Sequence, residues 1–495
     1  MKKKRMTAAL LLVFMLAGNL ASCGESAAPD AGNDTTVTPT GTTAPEEETE
    51  PAEINRENAV SSLKGVDLGG ETINILYTGE TTYAQDVFAE QTGDLVDDAV
   101  YNRNIYVEDT LNVKLNPITA AVGTQDTADH LAKTVLAGED EYDLASVHQA
   151  YSMKYVTEGY FHNFVGDKYI DFEKPWWNLD YMKEMTVGDD RVFFLVGDIS
   201  LMYLKSLGCI YYNRDLYETI YGNADEPYDL VFSGKWTFDK YSELVRGAYA
   251  DLNGDGQVNV GDRFGGYGSK GKSVEHYVYG AGIRSTTKNA EGIPELTLYN
   301  ETTVAFAEAL HDLYFDNIGF RIASADDFKK EMQMFADGSV LFAQTWFRHA
   351  EIFRDMDNDY GIVCMPKFLE SSDYTTLVHD GTTVFATPIT SQKTDIVGAV
   401  CEAMAFQNYK TVTPAYYEIA LKVKYSRDDK TAQMLDLINA SATTNFGYVY
   451  FASIAGVPSL RAFVNVGAND FTSWYKKNEE KAIAGLEKVI AAYKD

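Results

Sequence analysis

Alternating apolar and polar positions mark the first regular element of the chain. Glu71-Thr-Ile-Asn-Ile-Leu-Tyr77 alternates and is rich in β-branched residues, which predicts a strand broken by Thr78-Gly79-Glu80. From Asp94 to Leu111 the period becomes helical: Val96, Val100, Val107 and Leu111 share one face, with Asp97, Asp98, Glu108 and Asp109 largely off it. A second strand is expected over Val113–Ile118, a helix over His130–Ala137 and a third strand over Asp143–Val147. This β-α-β-α-β alternation predicts an α/β fold with a parallel, doubly wound sheet and helices on both faces. Later pieces keep the style, with strands at Leu207–Tyr212 and Gly361–Met365 and helices at Phe238–Ala250 and Ile396–Phe406. The last helix, Lys476 to Tyr493, carries Ala482, Ile483, Leu486, Val489, Ile490 and Tyr493 at helical spacing, so it should dock on a core; it is too mixed to span a membrane.

The N-terminal segment follows neither period. Lys2, Lys3, Lys4 and Arg5 precede an apolar run from Ala8 to Ala17, too short for a bilayer crossing of about 20 helical residues. Leu20-Ala21-Ser22-Cys23 then looks like a bacterial lipobox, which implies removal of residues 1–22 and a diacylglycerol on the Cys23 sulfur. Residues 23–65, rich in Thr, Ala, Pro and Glu, cannot bury enough apolar surface to offset ordering entropy, so a disordered tether is expected there. The folded unit should start near residue 66.

Composition narrows the partners. The 495 residues carry 42 Lys+Arg against 73 Asp+Glu, a formal charge of −31. Loss of the four leader cations leaves 38 against 73, or −35. Such acidity excludes a phosphate backbone as partner, since nucleic-acid binding runs on clustered Lys and Arg. Cys209, Cys364 and Cys401 each sit among apolar neighbours and are expected to be buried free thiols.

One segment has the layout of a metal loop. Asp251, Asn253, Asp255, Asn259 and Asp262 place oxygen side chains at positions 1, 3, 5, 9 and 12, Gln257 offers its carbonyl at position 7, and Gly256 stands at the sharp turn. That is the pattern of an EF-hand-type loop, so a structural Ca2+ is expected, with Asp in place of the usual Glu at position 12. Gly-rich sequence follows instead of a second helix, and the loop occurs once, where a dockerin module would carry it twice. Gly266-Tyr-Gly-Ser-Lys-Gly271-Lys272-Ser273 matches a P-loop literally, but no buried strand is expected before it and no long helix after it, so the match reads as coincidence. The chain has no Gly-x-Ser-x-Gly or His-Glu-x-x-His motif.

The succession of Tyr142-Asp-Leu-Ala, Pro175-Trp-Trp-Asn178, Arg191-Val-Phe-Phe, Ile210-Tyr-Tyr-Asn-Arg-Asp-Leu216, Trp236-Thr-Phe-Asp-Lys-Tyr241, Phe335-Ala-Asp-Gly-Ser-Val340, Tyr360-Gly-Ile-Val-Cys-Met-Pro-Lys367 and Phe385-Ala-Thr-Pro-Ile389 resembles the bacterial extracellular solute-binding proteins of the family-1 type. The likeness lies in their order over most of residues 70–495. It implies a type II periplasmic-binding-protein-like fold of two lobes, each on a doubly wound sheet, with a hinge between them. Lobe 1 would hold residues 66–198 and 380–412, and lobe 2 residues 199–379 and 413–495. Crossovers are expected near Gly197–Ser200, Val378–Thr382 and Lys410–Ala415. The resemblance also implies a monomeric, non-catalytic receptor on the outer face of the cytoplasmic membrane, held there through its lipid alone. It would deliver a small solute, a sugar by preference, to the permease subunits of an ABC importer. The competing readings are an exported carbohydrate-active hydrolase and a dockerin-like, calcium-dependent adhesion protein.

In open α/β sheets the ligand lies beyond the carboxyl ends of the strands. The loops after strands one and three therefore supply the first candidates, Glu80, Tyr83 and Gln85, then His148, Gln149 and Tyr151. A sugar offers one apolar face and a rim of hydroxyls, which asks for an aromatic platform with amide and carboxylate partners. Trp346 matches the position where similar sugar binders place a cleft aromatic, and Asp380 sits at an expected crossover. Trp236 and the Trp176–Trp177 pair are assigned to core packing.

Overall fold

Apolar strands bracketed by capped helices build two separate sheets. The computed structural model describes residues 54–493, apart from 121–122, 189, 324–327, 354, 422–428 and 455–458. The leader and Cys23 lie outside the described residues. In chain order the main strands are β1 (Glu71–Tyr77), β2 (Val113–Thr119), β3 (Leu144–His148), β4 (Gly208–Asn213), β5 (Phe264–Ser269), β6 (Phe320–Ala323), β7 (Val340–Trp346), β8 (Tyr360–Val363) and β9 (Thr383–Ala386). The helices that matter for the site and its support are α1 (Leu95–Leu111), α2 (Thr124–Leu136), α3 (Gln149–Val156), α4 (Phe238–Gly247), α5 (Lys272–Gly280), α6 (Thr394–Gln407), α7 (Leu460–Asn465) and α8 (Phe471–Ala492).

The first sheet has the order β9-β3-β1-β2 and the second β8-β4-β7-β5-β6. In the first, β1 runs parallel to β2, Glu71 facing Val113, and parallel to β3, Ile75 facing Leu144. β9 joins antiparallel to β3, with Thr383 facing His148. In the second, β5, β6 and β7 are mutually parallel, whereas β4 runs against both β7 and β8. Each sheet is therefore mixed rather than purely parallel as the sequence predicts. The cause in the first is β9, a strand that returns only after the whole second sheet has been formed, a long-range pairing that no local period encodes.

Local chemistry accounts for the elements. Asp94 caps α1, its side chain accepting from Val96 N and Asp97 N, and Asn112 ends the helix in the left-handed region at φ 49°. The four valine and leucine positions named above are all buried, and each removes apolar surface worth about 1.5–3 kcal/mol from water. Thr237 caps α4 by accepting from Lys240 N. α8 lays Tyr475 against Tyr299, ring centroids 4.9 Å apart and stacked. None of the described helices is long and apolar enough to cross a membrane.

Two expectations about packing meet the structure directly. Residues 54–65, read from composition as the end of the tether, carry Ala59 and Leu63 at 4% and 1% exposure, and Lys410 Nζ donates to Ala59 O at 3.2 Å. Two apolar anchors are enough to hold a polar segment to the core, and a composition average over the whole stretch hides them. Trp176, Trp177 and Trp236 are buried; the first two donate through Nε1 to the two oxygens of Glu402, at 3.1 and 2.8 Å. Cys209, Cys364 and Cys401 are buried free thiols.

The chain passes between the sheets at three places that lie side by side. Antiparallel bridges join Leu195 to Phe385 and Leu207 to Val378, so the segments around 197–207 and 378–382 cross together. The third passage is a π-helical stretch, Asn408–Val412, that continues α6. Asn408 Nδ2 donates to Asp198 O at 2.7 Å and Ile199 O at 3.2 Å, and buried Arg103 donates to Asn408 Oδ1 at 3.1 Å. Thr413 donates its hydroxyl to Asp198, whose carboxyl is pushed up to about 6 by burial. Gly197 sits at φ 137°, and a Cβ there would meet Trp176 O at 2.3 Å, so this first passage requires glycine.

Candidate functional site

Parallel strands of the second sheet end together at Ser269, Ala323 and Trp346, and their carboxyl ends open on a cavity of about 760 Å³. Its wall includes Ser269, Lys272, Ser273, Trp346, Arg348 and Arg461. Strand β5 turns into helix α5 through Lys270 and Gly271 alone, which brings the helix N-terminus to the cavity edge. Ser269 N donates to Ser273 Oγ at 3.0 Å and fixes that turn.

This turn is the segment that matches a P-loop. A buried strand precedes it and a nine-residue helix follows, contrary to the sequence expectation. The sequence misses the strand because three glycines interrupt its apolar alternation. The glycines are nevertheless extended: Gly266 pairs with Phe320 and Phe342, and Gly268 with Ile322. A phosphate-wrapping loop needs those residues free of the sheet, so the segment is a strand-to-helix turn and not a P-loop.

Trp346 Nε1 donates to His276 Nε2 at 2.8 Å, and the His379 ring meets the indole at 4.6 Å, edge to face. The Arg348 guanidinium lies 4.7 Å over the same indole. Only 7% of Trp346 is exposed, so its face is a shelf for Arg348 more than an open platform. His276 in turn packs on Gly208, where a Cβ would lie 2.0 Å from His276 Nδ1.

On the first sheet Tyr83, His148 and Tyr151 come together at the carboxyl ends of β1 and β3. His148 lies 6.1 Å from Tyr83 and 4.5 Å from Tyr151, ring to ring. Asp380 and His379, on the second crossover, join this cluster to Trp346. Ala150 N donates to Asp380 O at 3.2 Å, Asp380 N to Tyr448 Oη at 3.0 Å, and His379 Nε2 stands 3.4 Å from Asp380 Oδ1. Glu80 is exposed at the start of the short helix Thr81–Ala84. The other two candidates point elsewhere. Gln85 spends its amide on Asp97 Oδ1 and Lys205 Nζ, both at 2.7 Å, while Gln149 is fully buried and accepts from Tyr181 Oη at 2.7 Å.

The electrostatics of the cluster are one-sided. Burial pushes His148 down to about 3, and the charges of Lys272 and Arg348 push the same way. Burial and Lys272 do the same to His276, also to about 3, and His379 is held well below its ordinary value. Burial raises the Asp380 carboxyl, against the pull of Lys272 and Arg461. At neutral pH these imidazoles are therefore neutral hydrogen-bonding groups. Sequence reasoning missed Lys272, Arg348, Arg461, His276 and His379. Lys272 lay in the P-loop match and Arg348 two residues beyond Trp346, but no local signal marks Arg461.

The loop 251–262 lies apart from this cleft, beyond the opposite end of β5. Asp251 accepts from Gly254 N and Gly256 N at 2.7 and 2.9 Å, and both glycines are left-handed. Asn259 Nδ2 donates to Asp255 Oδ2 at 2.7 Å and to Gln257 O at 3.2 Å. Asp262 is 1% exposed; its Oδ2 accepts from Tyr249 Oη and Asn259 N, both at 3.0 Å, and its Oδ1 is buried with no hydrogen-bond partner. Among the described residues no three Asp, Glu, His or Cys side chains converge as a formed metal site.

No family model matches the chain, and no curated protein matches it. Solved structures do resemble it. UgpB from Mycobacterium tuberculosis, in complex with glycerophosphocholine, superposes with a TM-score of 0.55 at 15% identity, covering 85% of this chain and 100% of that one. An ABC transporter solute-binding protein from Thermotoga lettingae, bound with α-D-tagatose, gives 0.52 at 14% identity over 86% and 100%. An ABC substrate-binding protein from Listeria monocytogenes, in complex with cycloalternan, gives 0.51 at 12% identity over 85% and 99%. At such identities the likeness establishes the fold, which is the two-lobed type II binding-protein architecture with a hinge between the lobes.

Proposed function

We propose that the chain is a solute receptor without catalytic activity, which binds a saccharide in the cleft and hands it to the permease subunits of an ABC importer by closure of the two lobes. The carrying observation is the convergence of Trp346, His379, Asp380 and Tyr151 on one junction in this fold, supplying aromatic rings, neutral imidazoles and a carboxylate to a sugar's faces and hydroxyls. Cys23 carries the lipid that anchors a monomeric protein to the outer face of the membrane, with residues 66–198 and 380–412 as the first lobe. Titration calorimetry over a saccharide panel tests the reading, together with small-angle scattering of the complex. The expected result is a saccharide that binds and lowers the radius of gyration; binding with no compaction would refute closure. Mass spectrometry of the membrane-extracted protein tests the anchor, and a Cys23 free of acylglycerol would remove it.

The same reading includes a structural Ca2+ in the loop 251–262. The unpartnered buried Oδ1 of Asp262 supports it, and so does the Asn259 amide, whose nitrogen stands between Asp255 Oδ2 and Gln257 O where a cation would satisfy both oxygens. Ca2+ should raise the unfolding midpoint and EGTA lower it, with Asp262→Ala blind to both; an identical melt in Ca2+ and EGTA would discard the metal.

A further inference from the structure

Cations are the minority in this chain, at 42 Lys+Arg against 73 Asp+Glu, and yet they gather at the cleft. Lys272, Arg348 and Arg461 all line the one cavity at the carboxyl ends of β5 and β7. Three cations elsewhere are each held between two acids: Arg214 bridges Asp225 and Asp359, Lys393 bridges Glu71 and Asp143, and Lys430 bridges Asp225 and Asp229. Among the described residues none of the three cleft cations has a carboxylate within salt-bridge distance. Arg348 lies over Trp346 and Arg461 over Phe451, at 4.7 and 5.3 Å, contacts that orient a guanidinium without neutralising it.

Asp380 and Glu275 are the two acids that act on this group of three cations electrostatically, and burial raises both carboxyls against the pull of the cations. Helix α5 adds its positive end, since Lys272 and Ser273 form its first turn. The imidazoles offer neutral groups only: His148 Nδ1, His276 Nδ1 and His379 Nε2 are buried without hydrogen-bond partners. The cavity is thus a positive, partly desolvated pocket in a strongly negative protein, and the charge it lacks is an anion.

We propose that the saccharide taken by this cleft is acidic, and that its carboxylate, sulfate or phosphate is held by Lys272, Arg348 and Arg461 at the N-terminus of α5. This rests on the receptor reading above and specifies its ligand class. Trp346 then serves as the shelf that aims Arg348 for a two-pronged contact with the anionic group, while the sugar ring meets the Tyr83–His148–Tyr151 side.

The test is calorimetric titration of the mature protein with uronate trisaccharides, sulfated disaccharides and phosphorylated disaccharides. Each is matched with the neutral sugar made from it by carboxyl reduction, desulfation or dephosphorylation. At least one acidic member is expected to bind roughly tenfold or more tighter than its neutral partner, with affinity falling as NaCl rises. Which arm responds separates carboxylate from sulfate or phosphate. Lys272→Met and Arg461→Met should each weaken that binding roughly tenfold with the unfolding midpoint unmoved. A neutral sugar that binds as tightly as its acidic partner, or unchanged affinity in both variants, overturns the proposal and leaves the receptor reading standing. Binding by neither set overturns the saccharide reading and this proposal with it.

Discussion

Replacing Trp346 by alanine tests how the cleft is held. The indole is 7% exposed and contacts His276, His379 and Arg348. A buried tryptophan removes about 200 Å² from water, which at about 25 cal/mol per Å² is an upper bound near 5 kcal/mol. The site borders a cavity of about 760 Å³, so water can enter the space left behind, and the cost falls to the lower end of the Trp→Ala range, about 3 kcal/mol. His276 Nε2 loses its donor at 2.8 Å, which adds about 1 kcal/mol. Urea unfolding followed by the fluorescence of the remaining tryptophans should therefore show a loss of about 3–4 kcal/mol. Trp346→Phe keeps a ring under Arg348 and should lose about half of that. A loss below about 1 kcal/mol for the alanine variant would refute the packing, and unaltered ligand affinity in it would remove Trp346 from the site.

Other consequences are as direct. Burial raises the Glu402 carboxyl from 4.5 to about 7, so the native state binds the proton that the unfolded chain has released across that window, and stability falls as pH rises through it. The fall is about 3 kcal/mol at most, and Glu402→Gln should flatten it in urea titrations between those pH values; an unaltered slope would show that another group carries it. Gly197→Ala places a Cβ 2.3 Å from Trp176 O at a left-handed φ, and should lower stability by at least about 2 kcal/mol. A neutral effect on the urea midpoint would mean that the first crossover adapts.

Local elements were legible in the sequence wherever one period governed them. Glu71–Tyr77 is a strand at the bounds its alternation gives, and α1 buries the four residues that share its predicted face. Strand β5 was illegible, because Gly265, Gly266 and Gly268 break its apolar pattern and its stability comes from the neighbours β6 and β7. The mixed character of the first sheet was hidden as well, since β9 pairs with β3 across nearly half of the chain. Of the candidate site, the aromatic cluster of Tyr83, His148 and Tyr151 follows from the rule that loops at strand carboxyl ends face the ligand. The cations did not follow, because Lys272, Arg348 and Arg461 come from three distant segments and carry no shared motif. Gln85 and Gln149 sit in the right loops, but the Gln85 amide is taken up by Asp97 and Lys205, and the Gln149 amide by Tyr181 in the core beneath.

The receptor reading stands or falls on thermal unfolding of the mature protein with each saccharide of the panel, followed by recovery and analysis of that saccharide. The account predicts that at least one raises the unfolding midpoint and is recovered intact. A panel that leaves the midpoint unmoved, or a stabilising saccharide recovered cleaved, would contradict it.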